Sequence, residues 1–209
     1  MPTILVTGFG PYPGAPYNPT AALVRALTRH KKRGSTRILG HVFATSYAAV
    51  ERDLPTLVKR HRPDALLMFG LSTRARDIRV ETRARNSVAV TPDAARGKHR
   101  RLIDPRAPFA RPLPVPAARL AASLRRLPVP ARLSHDAGRY LCNYVSWRAA
   151  EAAAGKDGPR IAAFVHVPLV RRDPLPRARR APFSRARLER AGQALLADMM
   201  AVAAQAGRA

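Results

Sequence analysis

The chain has 209 residues, 46% of them apolar, with 38 Lys and Arg against 13 Asp and Glu, a formal net charge of +25. The apolar share is ordinary for a globular domain, which excludes a wholly disordered polycation, and the length suits one domain, taken as residues 1–209. A single cysteine excludes an intramolecular disulfide and a cysteine-based zinc site, and no run approaches the roughly 18 apolar residues of a membrane-spanning helix.

Thr3–Thr7 is a β-rich apolar run that ends in Gly8-Phe-Gly-Pro-Tyr-Pro-Gly14, a buried strand followed by a loop of turn residues. Asn18-Pro19 opens a helix, because Asn caps well and Pro suits the first helical position. Thr36–Ala44 is a second strand, and Tyr47–His61 is helical in period, with a kink or break expected at Pro55. Ala65–Phe69 is a third strand, closed by Gly70. Asp77–Val90 alternates enough for one or two strands, and Thr91–Pro116 is loop-like. Ala117–Leu127 is a helix, Ala131–Ser134 a strand and Tyr140–Ala154 a helix. Ile161–Val167 is a strong strand closed by Pro168, and Ser184 caps a last helix. Strands alternating with helices predict an α/β fold with a mainly parallel sheet covered on both faces. Ligands of such sheets sit at the carboxyl ends of the strands. Four loops in that position carry the unusual residues: 8–14, 70–76, 136–142 and 166–168.

The charge invites a nucleic-acid partner, since many cations release many counterions from phosphate. Its distribution speaks against one. Only five basic residues are Lys, the 33 Arg are spread along the chain, and local patches occur only at Arg96–Arg101 and Arg171–Arg180. No zinc-finger spacing, RNP-like motif or basic heptad array is present. The start lacks the charged, then apolar, regions of a secretory signal, so the expected address is the cytoplasm.

Gly8-Phe9-Gly10 begins like a dinucleotide fingerprint, but Pro13 takes the third glycine position, and prolines remove the N–H groups a pyrophosphate needs. The aromatic rings of Phe9 and Tyr12 pack the loop onto the core or line an apolar pocket. Cys142 precedes a helical stretch. It is a small buried hydrophobe, or a nucleophile favoured as thiolate by the helix dipole, with free backbone N–H groups beside it for an oxyanion. His166, near the end of an apolar strand, is a satisfied core histidine or a general base. Glu81 lies among Arg74, Arg76, Arg79, Arg83 and Arg85. It is a surface salt-bridge partner, or the group that orients the histidine, with the arginines helping to keep it ionised.

Taken together, Val6-Thr-Gly-Phe-Gly-Pro-Tyr-Pro-Gly14 with Asn18-Pro19, Val80-Glu81 with Asn86, Asp136-Ala-Gly-Arg-Tyr-Leu-Cys142-Asn143 and Ala163-Phe-Val-His166-Val-Pro168 resemble pyroglutamyl peptidase I over most of the chain. The resemblance implies a cysteine peptidase that removes an N-terminal pyroglutamyl residue without cofactor or metal. It assigns Cys142 as nucleophile, His166 as base and acid, and Glu81 as its orienting partner. It also implies a three-layer α/β/α sandwich and a homotetramer. Phe9, Tyr12 and Tyr140 match the aromatic positions around the lactam, Asn18 the asparagine near the pocket, and Leu71 and Leu141 further substrate contacts. The chain departs from the family after Gly70, where Leu-Ser-Thr-Arg-Ala-Arg replaces a small glycine-containing loop, and after Asn86, where Ser-Val-Ala-Val-Thr-Pro-Asp replaces an acidic stretch. A substrate-shifted or catalytically weak binding protein on the same fold, and a basic nucleic-acid binder, are the alternatives.

Overall fold

The computed structural model describes residues 1–13, 15–89, 102–170 and 183–206. Both arginine patches lie outside the described residues. The elements run β1 (Thr3–Phe9), α1 (Pro19–Leu27), β2 (Lys32–Arg33), β3 (Thr36–Phe43), α2 (Tyr47–His61), β4 (Ala65–Leu71), β5 (Ile78–Glu81) and β6 (Arg83–Arg85). They continue with β7 (Ala110–Pro112), α3 (Ala117–Arg125), β8 (Ala131–Ser134), α4 (Leu141–Ala154), β9 (Ile161–Val167) and α5 (Arg185–Ala206). A seven-stranded sheet has the order β2-β3-β1-β4-β9-β5-β8, and β6 and β7 form a separate two-stranded ribbon. β3, β1, β4 and β9 are mutually parallel. β5 runs antiparallel to β9 and carries β8 parallel to itself.

The alternation of side chains along the strands sorts the core into two halves. Ile4, Val6, Leu67, Phe69, Ala163 and Val165 face one way and pack on α1, α3 and α5. Leu5, Phe9, Leu66, Met68, Ala162 and Phe164 face the other way and pack on α2 and α4. The result is the expected three-layer α/β/α sandwich. Among the described residues no helix is long and apolar enough to cross a membrane.

Local chemistry fixes the helix starts. Asn18 Oδ1 accepts the Thr20 N–H at 3.1 Å with Pro19 at the first position, and Ser46 Oγ accepts the Ala49 N–H at 3.1 Å. Ser184 caps α5 as expected, its Oγ accepting the Arg187 N–H. Three expectations need correction. α2 is not broken at Pro55, because the proline lies on the exposed side of the helix, where water can replace the intrahelical bond it cannot donate. Gly70 does not close β4 but lies within it. The loop before Cys142 does not leave the carboxyl edge, because β8 is antiparallel to the main strands. Through β5, its last residue Ser134 stands level with Phe164, so residues 135–140 must lead back to where Cys142 sits beside Gly70.

Candidate active site

β4 and β9 pair so that Gly70 stands opposite His166, while β5 sets Arg79 opposite His166 and Glu81 opposite Phe164. Directly opposed residues project to the same face of a sheet, as do residues two apart on one strand. Glu81, Phe164 and His166 therefore share the face covered by α4, with Glu81 diagonal to His166. His166 Nδ1 donates to Glu81 Oε1 at 2.8 Å across 85 residues of sequence. Glu81 is fully buried and His166 is 7% exposed. Phe164 sets its ring edge-on to the imidazole at 5.0 Å between centroids, which limits the ring's rotation.

Glu81 is thus neither a surface residue nor partnered by the nearby arginine string, as had been one expectation. Among the described residues those arginines turn elsewhere: Arg79 to Asp77 at 3.0 Å, Arg85 to Asp136 at 3.3 Å and Arg83 to the His135 carbonyl at 2.9 Å. The partner that matches the carboxylate charge is the imidazole.

The third side chain arrives on α4. Tyr140 is the N-cap, extended and without a side-chain capping bond, so Leu141 and Cys142 fill the first two helical positions, where N–H groups lack an intrahelical acceptor. Half-buried Cys142 sets its sulfur over Gly70, the residue paired with His166, so the thiol and the imidazole are neighbours. Burial opposes a charged imidazole, but a sulfur anion at Cys142 and the Glu81 carboxylate outweigh it, and the His166 pKa is pushed up to about 10. The ring thus lies between two partners that both favour its protonated form. A thiol, an imidazole and a buried carboxylate in line, beside free helix N–H groups, can carry out acyl transfer.

The sulfur depends on Gly70. A Cβ added there would lie 2.7 Å from Cys142 Sγ and 2.5 Å from Phe164 Cζ, so only a bare Cα lets the helix bring the thiol down onto the strand. The sequence carried a signal for this in an isolated glycine within an apolar strand, which often marks close approach. Reading Gly70 as a terminator missed it.

The remaining expected site residues fall into two groups. Around Cys142 lie Tyr12, Tyr140 and Leu141. Burial, and then a negative sulfur at Cys142, raise the Tyr12 pKa and keep its phenol a neutral donor. Tyr140 stands edge-on to Tyr47 at 5.5 Å, and Leu141 is buried. Leu71 ends β4 opposite Val167, one residue beyond the Gly70–His166 pair. Phe9 is 4% exposed and packs at 5.6 Å on Phe43, so most of its surface belongs to the core. Asn18 acts on the loop and the helix. Besides capping α1, it donates through Nδ2 to the Gly10 carbonyl at 3.1 Å, and Thr45 Oγ1 donates to the same oxygen at 2.9 Å. The asparagine thereby braces the loop that carries Phe9 and Tyr12. A cavity of about 770 Å³ lies at the other end of α4, lined by Val50, Leu54, Pro55, Val58, Arg148 and Ala152, with Cys142, His166 and Glu81 all outside its wall. Among the described residues no cluster of three or more His, Cys, Asp or Glu is arranged to hold a metal.

A three-layer α/β/α sheet bearing a Cys–His–Glu line defines a thiol-dependent hydrolase. The profile of the pyroglutamyl peptidase family matches residues 2–203. The chain is 31% identical over 169 residues to the pyrrolidone-carboxylate peptidase of Pyrococcus furiosus, covering 80% of this chain and 81% of that one. It is 30% identical over 176 residues to that of Mycobacterium tuberculosis, covering 80% and 78%. Among solved structures, the pyrrolidone carboxyl peptidase of Thermococcus litoralis superposes with a TM-score of 0.85 at 25% identity, covering 96% of this chain and 94% of that one. A point variant of the Pyrococcus furiosus enzyme gives a TM-score of 0.88 at 27% identity over 96% and 99%. This chain belongs to the pyroglutamyl peptidase family of cysteine peptidases.

Proposed function

We propose that the chain, acting as one domain, removes N-terminal pyroglutamate from peptides through a thioester formed on Cys142. The observation that carries this reading is the line from Glu81 to His166 to Cys142, with the imidazole bonded to Glu81 at 2.8 Å and the Cys142 sulfur seated over Gly70, opposite His166. The Cys142 thiolate attacks the pyroglutamyl carbonyl carbon, and the oxyanion takes hydrogen bonds from the N–H groups that open α4. The C–N bond breaks as His166 Nε2 gives its proton to the departing amine. His166 then takes a proton from water, whose oxygen attacks the thioester, and pyroglutamate leaves with the thiol restored. Glu81 fixes the tautomer and stabilises the imidazolium throughout.

The substrate chemistry matches the surroundings. Pyroglutamate is a flat, uncharged lactam with one N–H and one ring carbonyl, and it lacks the free amine that other aminopeptidases hold. Phe9, Tyr12 and Tyr140 supply aromatic surface, Leu71 and Leu141 supply apolar and backbone contacts, and Asn18 holds the loop. Leaving the lactam edge unpaired would cost roughly 1–3 kcal/mol per group, so the pocket must answer each one. The reading includes a homotetramer, as the family resemblance implies, and the cytoplasm, where a lone thiol stays reduced.

The test is release of a fluorophore from a pyroglutamyl amide by reduced protein. Activity is expected in the unaltered chain and absent, below about 10⁻³ of it, in Cys142→Ala and Cys142→Ser. Failure of the folded, reduced protein to cleave any pyroglutamyl amide or peptide would overturn the proposal.

A further inference from the structure

Asn143 follows the proposed nucleophile and is fully buried in the first turn of α4. Its Oδ1 accepts the Arg85 N–H at 2.8 Å, and its Nδ2 donates to the Arg85 carbonyl at 2.8 Å and to the Ser87 carbonyl at 2.9 Å. Both amide N–H donors and one oxygen lone pair are therefore spent on the backbone of one short segment. That segment is the end of β6 and the two residues that follow it, and the opposite edge of β6 pairs with β7. The side-chain amide stands in for a third strand at Arg85, bonding its N–H and C=O as a neighbouring peptide would.

The segment so gripped leads straight back to Glu81. Only Thr82 separates β5 from β6, and it is itself fixed: its N–H donates to the Ser134 carbonyl at 2.8 Å, and its carbonyl accepts the Leu113 N–H at 3.0 Å. A rigid path thus runs from Asn143 through β6 to the carboxylate that holds His166. The nucleophile and the carboxylate come from parts of the chain about 60 residues apart, and Asn143 joins them by direct hydrogen bonds. The mechanism above does not use it, since its polar atoms point away from the substrate side into the ribbon.

We propose that Asn143 is a positioning residue: its amide locks the first turn of α4 to the Glu81 arm and so sets the depth of the Cys142 sulfur and of the oxyanion N–H groups relative to His166. The inference rests on the reading of Cys142 as nucleophile. Asn143→Ala leaves the helix free to shift against β6 while the aromatic residues of the lactam pocket, on other elements or ahead of the helix, stay in place. A displacement of about 1 Å costs on the order of 10²-fold in rate. The expected result for a pyroglutamyl amide is a kcat lower by roughly 10²-fold with KM changed less than about threefold. The second measurement is the pH profile of Cys142 alkylation by iodoacetamide, which needs no turnover. The rates across that profile should fall, because a sulfur displaced against β6 loses its alignment with the imidazole. Asn143→Ser, a milder change with one donor left, should fall between the two proteins in both measurements and serves if Asn143→Ala does not fold. A folded variant with kcat within about threefold of the unaltered protein and an unchanged alkylation profile would overturn the proposal. So would a proportionate loss explained by the unfolded fraction alone. If the unaltered chain cleaves no pyroglutamyl amide, the functional reading fails while the alkylation profile still decides the role of Asn143.

Discussion

Gly70→Ala is the sharpest single test of the site geometry. The added Cβ would meet Cys142 Sγ at 2.7 Å and Phe164 Cζ at 2.5 Å, where non-bonded heavy atoms prefer about 3.5–4.0 Å. Each neighbour must therefore retreat by about 1 Å. The sulfur can do so only by rotating away or by lifting the start of α4, and either movement takes it off line with His166. A misplacement of that size costs on the order of 10²-fold in kcat, equal to about 2.7 kcal/mol of barrier. The Phe164 contact adds overpacking of about 1–3 kcal/mol in stability. Steady-state kinetics on a pyroglutamyl amide and urea unfolding of the same samples separate the two losses. The double variant Gly70→Ala with Phe164→Leu relieves the ring contact but not the sulfur contact, so it should regain stability and not kcat. A folded Gly70→Ala protein with kcat within about threefold of the original, or a double variant that recovers both, would refute the reasoning.

Two further outcomes concern the histidine and the loop beside it. The His166 pKa of about 10 exceeds its ordinary value of 6.5. Its interactions therefore stabilise the fold fully below about pH 6.5, and that contribution is lost as pH rises through about 10. Cys142→Ala removes the foremost cause that raises it, so urea midpoints measured from about pH 6 to about pH 11 should decline at lower pH in that variant. Superimposable profiles for the two proteins would show that the sulfur does not hold the proton on His166. Asn18→Ala loses both the cap of α1 and the bond to the Gly10 carbonyl, with a stability cost of about 0.5–2 kcal/mol. It should raise KM more than it lowers kcat, because it frees the loop of Phe9 and Tyr12. Asn18→Asp keeps the cap but not the donated bond, so it should retain stability and still raise KM; an unchanged KM in Asn18→Asp would mean that the loop does not need this brace.

The sequence alone determined what short-range chemistry controls. Helix α1 begins where Asn18 and Pro19 say it must, because a cap and a preset φ act within a few residues. β9 is legible because a run of seven buried residues, six of them apolar and rich in β-branched side chains, suits a strand covered on both faces. Local pattern left Cys142, His166 and Glu81 open between structural and catalytic roles, and the resemblance of the motifs to the pyroglutamyl peptidase family joined them into one site. Their meeting was implied by that resemblance alone and not by any local pattern, since a hydrogen bond spanning 85 residues depends on strand order and register, which no local propensity encodes. The tertiary structure also decided the direction of β5 and β8, which brings Glu81 diagonally onto His166. It turned Gly70 from a strand terminator into the bare patch beneath the sulfur, and it gave Asn143 a task its place in a motif only hinted at. The net charge of +25, the first feature of the composition, explained least of this. Charge acts through the solvent without fixing contacts, whereas the site is built from buried groups whose partners only the folded chain can supply.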